Sequence, residues 1–495
     1  MTSSDSVHPG QLIMVRFPGT ELDADTAAFL TNNRIRAVCL FRANMVDAAQ
    51  LSRLSADLRA VLGPDALIAI DQEGGAVVRA TWGPAPPAAM GLGAADDTAL
   101  AEQVGAAVGR ALKALGFNWN FAPVLDLNNN PDNPVIAERS FGADPQRAAD
   151  LALAWMAGSH AEGVACCVKH FPGHGDTHVD SHRALPTVDK PLAELERFEL
   201  EPFRMAAASA PAMMSAHIVY PALDADYPAT MSRPILSGLL RGRWGYDGVI
   251  ITDGMDMHAI AGRFGVGPAA VRALSAGADM VMALGTRETQ QQTLDAIAAA
   301  LACGELDAQA VRRSLARLAA LAARYPCDSG DYACEEADRA LMAQAWRRGL
   351  CTHGAASPPP AGARLRLVAR DDVVSDGVAE AGVAALEVAA ALGRRFAVEL
   401  VTFADAETFD WSTLPIDGSH TILASTSRLR YGDHARASFA PDLHLALWNP
   451  YHALDIKAPA LITFGFAPPA LDAVVAWLAG EIGATGKVPV PGFEQ

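Results

Sequence analysis

The sequence predicts an α/β protein, a closed (βα)8 TIM-type barrel followed by a smaller α/β sandwich, on three observations. Short β-rich apolar runs alternate with longer Ala- and Leu-rich amphipathic stretches, the pattern of parallel strands joined by crossover helices. Eight such pairs fall in the first 300 residues, which favours barrel closure over an open doubly wound sheet. Past a proline-stiffened seam the same alternation resumes on a smaller scale.

Taken in order, the barrel strands are expected at 12–17, 37–41, 67–71, 117–121, 165–169, 212–215, 249–252 and 280–283, each a short apolar run. Helical stretches at 47–62, 98–115, 146–162, 191–208 and 288–302 lie between them. A further helix at 308–323 ends at Tyr325 and Pro326, and another spans 335–349. Residues 355–362 read AASPPPAG, a polar segment of the kind that connects modules. Strands are expected again at 364–369, 398–402, 421–425, 443–448 and 460–464. The chain therefore divides into a barrel domain at 1–325, a connecting helix and Pro-rich linker at 326–362, and a C-terminal sandwich at 363–495.

Composition excludes several classes of function. Of 495 residues, 51% are hydrophobic and 19% charged, enough apolar surface for large cores and no case for disorder. The 39 basic and 56 acidic residues leave a formal charge of -17, which repels a phosphate backbone, so no nucleic-acid partner is expected. Seven cysteines without framework spacing, two of them adjacent at Cys166 and Cys167 in an apolar run, read as reduced thiols. The N-terminal MTSSDSVHPG lacks a basic segment followed by an apolar one, and no later apolar run is long enough to span a bilayer. A cytoplasmic protein with no membrane partner is the expectation, and partner proteins are not specified by the sequence.

Barrel enzymes carry their chemistry at the C-terminal ends of the strands. Polar residues cluster there: Asp71 and Gln72 after strand three, Lys169 and His170 after strand five, Ser215 and His217 after strand six, Thr252 and Asp253 after strand seven. The densest segment, HFPGHGDTHVDSH at 170–182, has four histidines spaced by four together with Asp176 and Asp180. Pro172, Gly173 and Gly175 prevent a helix, so the spacing does not stack the imidazoles on one face. With no HExxH and no CxxC, neither a metal nor another cofactor is expected.

KHFPGHGDTHVDSH, followed by ALP and by GVIITDGMDM, resembles glycoside hydrolase family 3, in its β-N-acetylglucosaminidase branch. LIMVRF, VCLFRANM, IDQEGG at 70–75, FAPVLDL at 121–127 and ERSFG at 138–142 extend the resemblance over residues 10–300 in order. One departure is Ala76, where the family commonly has arginine after DQEGG. Towards the C-terminus, APALITFGF and AVVAWLAGEIGATGKVPV resemble the end of the family's second domain.

The resemblance implies Asp253 as nucleophile, His182 as general acid and base, and Asp180 as the partner of His182. It also implies contacts to an N-acetyl sugar from Asp71, Arg79, Arg139, Lys169 and His170. The chemistry is coherent: retention needs an anion beneath the anomeric carbon and a proton donor at the leaving oxygen, and an imidazole gives and takes a proton near neutrality. Asp256 is the rival nucleophile, but three residues beyond Asp253 it is expected to cap a helix. The implied activity is that of an exo-acting, retaining β-N-acetylglucosaminidase on cell-wall muropeptides or chitin oligosaccharides. A phosphorylase or a β-glucosidase of the same fold stays open, as does a catalytically silent sugar-binding protein.

Overall fold

The computed structural model describes residues 7–179, 184–373, 375, 378, 379 and 382–493. Among these, the first 283 residues hold β1 (Ile13–Val15), β2 (Ala37–Cys39), β3 (Leu67–Ile70), β4 (Gln72–Gly74), β5 (Val77–Val78), β6 (Trp119–Asn120), β7 (Ala165–Phe171), β8 (Ala212–Ser215), β9 (Val249–Gly254) and β10 (Met280–Ala283). β4 and β5 pair as a small antiparallel hairpin. The other eight close a barrel in the order β1-β10-β9-β8-β7-β6-β3-β2, with every pairing parallel.

The continuous apolar runs are explained by burial on both faces, as parallel strands require. Alternate side chains divide between two cores. Met14, Cys39, Leu67, Ala69, Trp119, Cys167 and Ile251 fill the barrel interior, joined by Leu318, Leu321 and Tyr325. Ile13, Val15, Val38, Ile68, Ile70, Val168 and Ile250 face outward against the helices. Helix starts are set locally: Asp47, Asp97 and Asp144 accept from the backbone N–H of Gln50, Leu100 and Arg147 at 2.7, 3.1 and 2.7 Å.

The strands expected at 12–17 and 37–41 shorten to Ile13–Val15 and Ala37–Cys39, the one at 165–169 extends to Phe171, and two further elements differ more. The strand at 117–121 contracts to Trp119–Asn120: Phe117 N–H is still bonded to the preceding helix at Leu112, and at Asn118 the side chain, not the backbone, meets the Ile68 N–H at 2.8 Å and the Ala66 carbonyl at 2.9 Å. The helix at 191–208 divides into Leu192–Arg197 and Leu200–Ala206, the chain breaking where Glu199 turns inward to Lys190 Nζ and Asn129 Nδ2 at 2.6 and 3.0 Å.

A second sheet has the order β11-β16-β15-β14-β12-β13, from β11 (Cys351–His353), β12 (Leu365–Arg370), β13 (Val398–Phe403), β14 (His420–Ser425), β15 (Leu443–Ala446) and β16 (Ala460–Ile462). β11, within the segment expected as a connector, is its antiparallel edge. The remaining pairings are parallel. Helices Ala385–Gly393 and Pro468–Leu478 bury Leu365, Leu367, Ile422 and Leu461 on one face, while Val368, Leu423 and Phe439 pack on the other.

The helix Glu335–Arg348 links the two units, its Asp338 paired with Arg110 at 2.6 Å and Trp346 Nε1 donating to the Ala85 carbonyl at 2.9 Å. All seven cysteines are free, five of them buried. No helix among the described residues is long and apolar enough to cross a membrane.

Candidate active site

The site is built at the C-terminal end of the barrel from loops that the strands aim inward. Asp71 directly follows β3, and alternation then separates Gln72 from its neighbours. Gln72 is buried and holds the local turn, its Oε1 accepting from the backbone N–H of Arg79 at 2.9 Å and its Nε2 donating to the Ala80 carbonyl at 3.1 Å. Asp71 and Glu73 thereby share the opposite side, where Lys169 from β7 reaches both carboxylates at 2.7 Å.

Arg139 completes this buried cluster. Its Nε and Nη2 grip both oxygens of Glu73 at 2.8 and 2.9 Å, the bidentate geometry that fits a guanidinium to a carboxylate. Burial by itself would raise the Glu73 carboxyl, but Arg139 and Lys169 outweigh it and hold Glu73 well below the usual carboxylate range. Arg79 adds a longer pairing with Asp71 at 3.8 Å.

His170 is oriented by Asp126, which accepts from Nδ1 at 2.6 Å and from the His170 backbone N–H at 3.1 Å. With Nδ1 directed at Asp126, Nε2 faces Arg139 Nη2 at 3.5 Å. Burial pushes the Asp126 carboxyl up, but His170, beside it and hydrogen-bonded to it, more than offsets this and holds it below the usual carboxylate range. His174 is driven down to about 4 by burial and by His170, so its imidazole is neutral at neutral pH.

Among the described residues the histidine spacing brings only His170 and His174 into ring contact, edge-on with centroids 5.8 Å apart. His170 Nδ1 and the backbone N–H of His174 both meet Asp126, the His174 imidazole bonds Thr177 Oγ1 at 2.9 Å, and the exposed His178 meets Asn130 Nδ2 at 3.2 Å. No group of metal-ligating side chains is assembled among the described residues. Asn133 Nδ2 instead ties the loop through the carbonyls of His174, Gly175 and Thr177 at 2.9, 3.1 and 3.2 Å. Asp180 and His182 lie outside the described residues.

Asp253 sits inside β9, one residue before its end, with Oδ1 accepting from the Gly254 N–H at 2.7 Å. His217 steadies this strand end from beneath, bonded through Nε2 to the Gly254 carbonyl at 2.9 Å. The capping role expected of Asp256 is corrected: the following helix has Met257 at its N-cap and no side-chain cap, and exposed Asp256 stands at the pocket wall.

Asp71, Arg79, Arg139, Lys169, His170 and Asp253 thus line one pocket of about 200 Å³, with Glu73, His174 and Asp256 beside them. A larger depression of about 1030 Å³ lies at the other end of the barrel, but its Arg204, Arg243 and Arg317 are paired with Glu201, Glu196 and Asp247. Reading the sequence by strand ends passed over Glu73 and Asp126. The signal for Glu73 was its i+2 spacing from Asp71, which places two acids on one side of the chain.

Glu73→Gln is expected to destabilise the protein by about 3–5 kcal/mol, because Arg139 would lose the carboxylate that compensates its buried charge. Since folding lowers the Glu73 pKa, its contribution is fully present above the unfolded carboxylate value and is lost as pH falls through the folded one. Urea unfolding of both proteins at neutral pH, repeated in strongly acidic buffer, should show a gap that closes in acid. An unchanged gap would contradict this assignment.

Residues 6–321 match the family model "Glycosyl hydrolase family 3 N terminal domain". The β-hexosaminidase of Pseudomonas aeruginosa strain LESB58 is 40% identical over 290 residues, covering 58% of this chain and 86% of that protein. β-Hexosaminidase A of Pseudoalteromonas piscicida is 37% identical over 343 residues, 63% of this chain, and the chain spans only 57% of that relative's length. The solved glycoside hydrolase family 3 β-N-acetylglucosaminidase of Paenibacillus sp. FPU-7 superposes with a TM-score of 0.90 at 33% identity, covering 98% of both chains. With the family model spanning well over half the sequence and a full-length structural relative beside it, this chain belongs to glycoside hydrolase family 3.

Proposed function

We propose that the protein is an exo-acting, retaining β-N-acetylglucosaminidase that releases terminal N-acetylglucosamine. The observation that carries this reading is the convergence of Asp253 with Asp71, Arg79, Arg139, Lys169 and His170 around one small pocket. A cavity of about 200 Å³ suits a single terminal sugar rather than a polymer segment, and its charged groups supply directed hydrogen bonds to hydroxyls and the acetamido group. The relatives named β-hexosaminidase and β-N-acetylglucosaminidase support the N-acetyl sugar over glucose.

In this mechanism the Asp253 carboxylate attacks the anomeric carbon while His182 protonates the departing oxygen, and the glycosidic bond breaks. His182, assisted by Asp180, then removes a proton from water. The resulting attack on the anomeric carbon frees Asp253 and restores the starting protonation. Muropeptide fragments in the cytoplasm are the proposed source of substrate, with chitin oligosaccharides as the second source. Phosphate in place of water would make the same site a phosphorylase.

Chromogenic N-acetylglucosaminide and glucoside, assayed side by side with and without phosphate, test the proposal. Release from the N-acetylglucosaminide alone, with free sugar as product, is expected. Preference for the glucoside, a sugar phosphate product, or binding without turnover would each replace it with another reading.

A further inference from the structure

The second sheet reaches the pocket through the ends of its strands. β12, β14 and β15 run parallel, so their C-terminal ends open on one edge, where α/β sheets bind ligands. Here that edge meets the C-terminal face of the barrel. Arg428 follows β14, Trp448 follows β15, and Val378 lies in the segment after β12 and lines the pocket itself.

The contact converges on Glu138, a fully buried carboxylate next in sequence to Arg139. Glu138 Oε1 accepts from Trp448 Nε1 at 2.7 Å and from Arg428 Nη2 at 3.2 Å. Arg428 Nη1 donates to the Val135 carbonyl at 3.3 Å, and Arg139 Nη1 donates to that same oxygen at 3.2 Å. Between them Ala137 adopts φ 37, a left-handed conformation unusual for a residue with a side chain. This turn sends Glu138 towards the second sheet and Arg139 towards the pocket. Arg428 is itself braced by Asn449 Nδ2, which donates to its carbonyl at 2.6 Å.

A second arginine of the site is held likewise: Arg79 Nη2 donates to the Val378 carbonyl at 2.9 Å. Ala76 and Val77, on the same barrel loop, are buried against Val373, Ala379 and Trp448. The position that departs from the family's usual arginine is thus occupied by a residue small enough to lie beneath the second sheet.

We propose that Arg428 and Trp448 are positioning residues of the sugar site, acting through Glu138 to set the loop that aims Arg139 into the pocket. The second domain is then part of the recognition machinery. The inference rests on the reading of Arg139 as a sugar contact.

Arg428→Met should raise KM for the aryl N-acetylglucosaminide by about 10- to 100-fold with kcat much less affected, the scale of a binding group displaced by about an ångström. It should also lower Tm, since the Glu138 carboxyl, which burial already pushes up, would lose the cation that offsets its desolvation. Glu138→Gln combined with Arg428→Met should recover Tm, because no charge is left buried alone, and should retain the KM defect. Arg428→Lys should recover part of the KM, and Trp448→Phe, a milder change, should raise KM several-fold if Arg428→Met does not fold. An unchanged KM in a folded variant, or KM returning with Tm in the double variant, would overturn the proposal. Hydrogen exchange at residues 135–142 gives a reading independent of turnover: faster exchange there than in the rest of the barrel is expected, and no change refutes the positioning role. A wild-type protein inactive on this substrate would count against the glycosidase reading and leave the exchange result decisive.

Discussion

Asp253→Ala is expected to lower turnover of every substrate by on the order of 10⁴-fold or more while the fold stays intact, the scale on which enzymes lose activity with their nucleophile. The loss follows from position. Asp253 lies within β9 at the barrel's C-terminal face, its Oδ1 accepting from the Gly254 N–H at 2.7 Å, and in the proposed mechanism no water can replace the carboxylate that attacks the anomeric carbon. Its side chain does not hold the barrel core together, so circular dichroism and Tm should be close to wild type. Asp256 lines the same pocket but is exposed beyond the end of the strand, and Asp256→Ala should retain most activity. A fluorinated slow substrate, followed by peptide mapping, discriminates between the two acids. The label belongs on Asp253; a label on Asp256, or none between 250 and 257, would refute the assignment.

His182→Ala should produce a loss that depends on the leaving group. With a disaccharide, whose departing oxygen needs a proton, the rate should fall by on the order of 10² to 10⁴. With an activated aryl N-acetylglucosaminide the first step should suffer far less, because the phenol departs without protonation. Release of the sugar from Asp253 would still need a base to activate water. A burst of phenol followed by slow turnover is therefore expected, relieved by an added anionic nucleophile. Asp180→Ala should give a milder version, since the imidazole would remain but be less well oriented. Equal losses on both substrates, with no burst and no rescue, would reduce His182 to a binding residue.

Much of the barrel was legible because its signals are local. Burial on both faces writes a parallel strand as a short continuous apolar run, so the runs at 12–17, 67–71 and 280–283 contain β1, β3 and β10. Asp253, Lys169 and Asp71 could be found as polar residues that interrupt apolar runs where strands end. The elements that misled were decided by more distant groups: Glu199 turns inward to meet Lys190, which divides a helix whose periodicity looked continuous. Asp256 looked like a cap because its spacing from a helix was right, yet the chain chose Met257 and left the carboxylate at the pocket.

By itself the sequence determined the strand and helix alternation, the motif series that marks the family, and the identity of the acids and bases offered at the strand ends. Only the tertiary structure decided which charges neutralise one another. Glu73 meets Arg139 across 66 positions, Lys169 meets Asp71 across 98, and Arg428 meets Glu138 across 290. The reason is physical: propensity and periodicity are properties of residues a few positions apart, whereas these ion pairs exist because barrel closure and sheet docking bring distant strand ends to one face and withdraw them from water, where an unpaired charge could not remain.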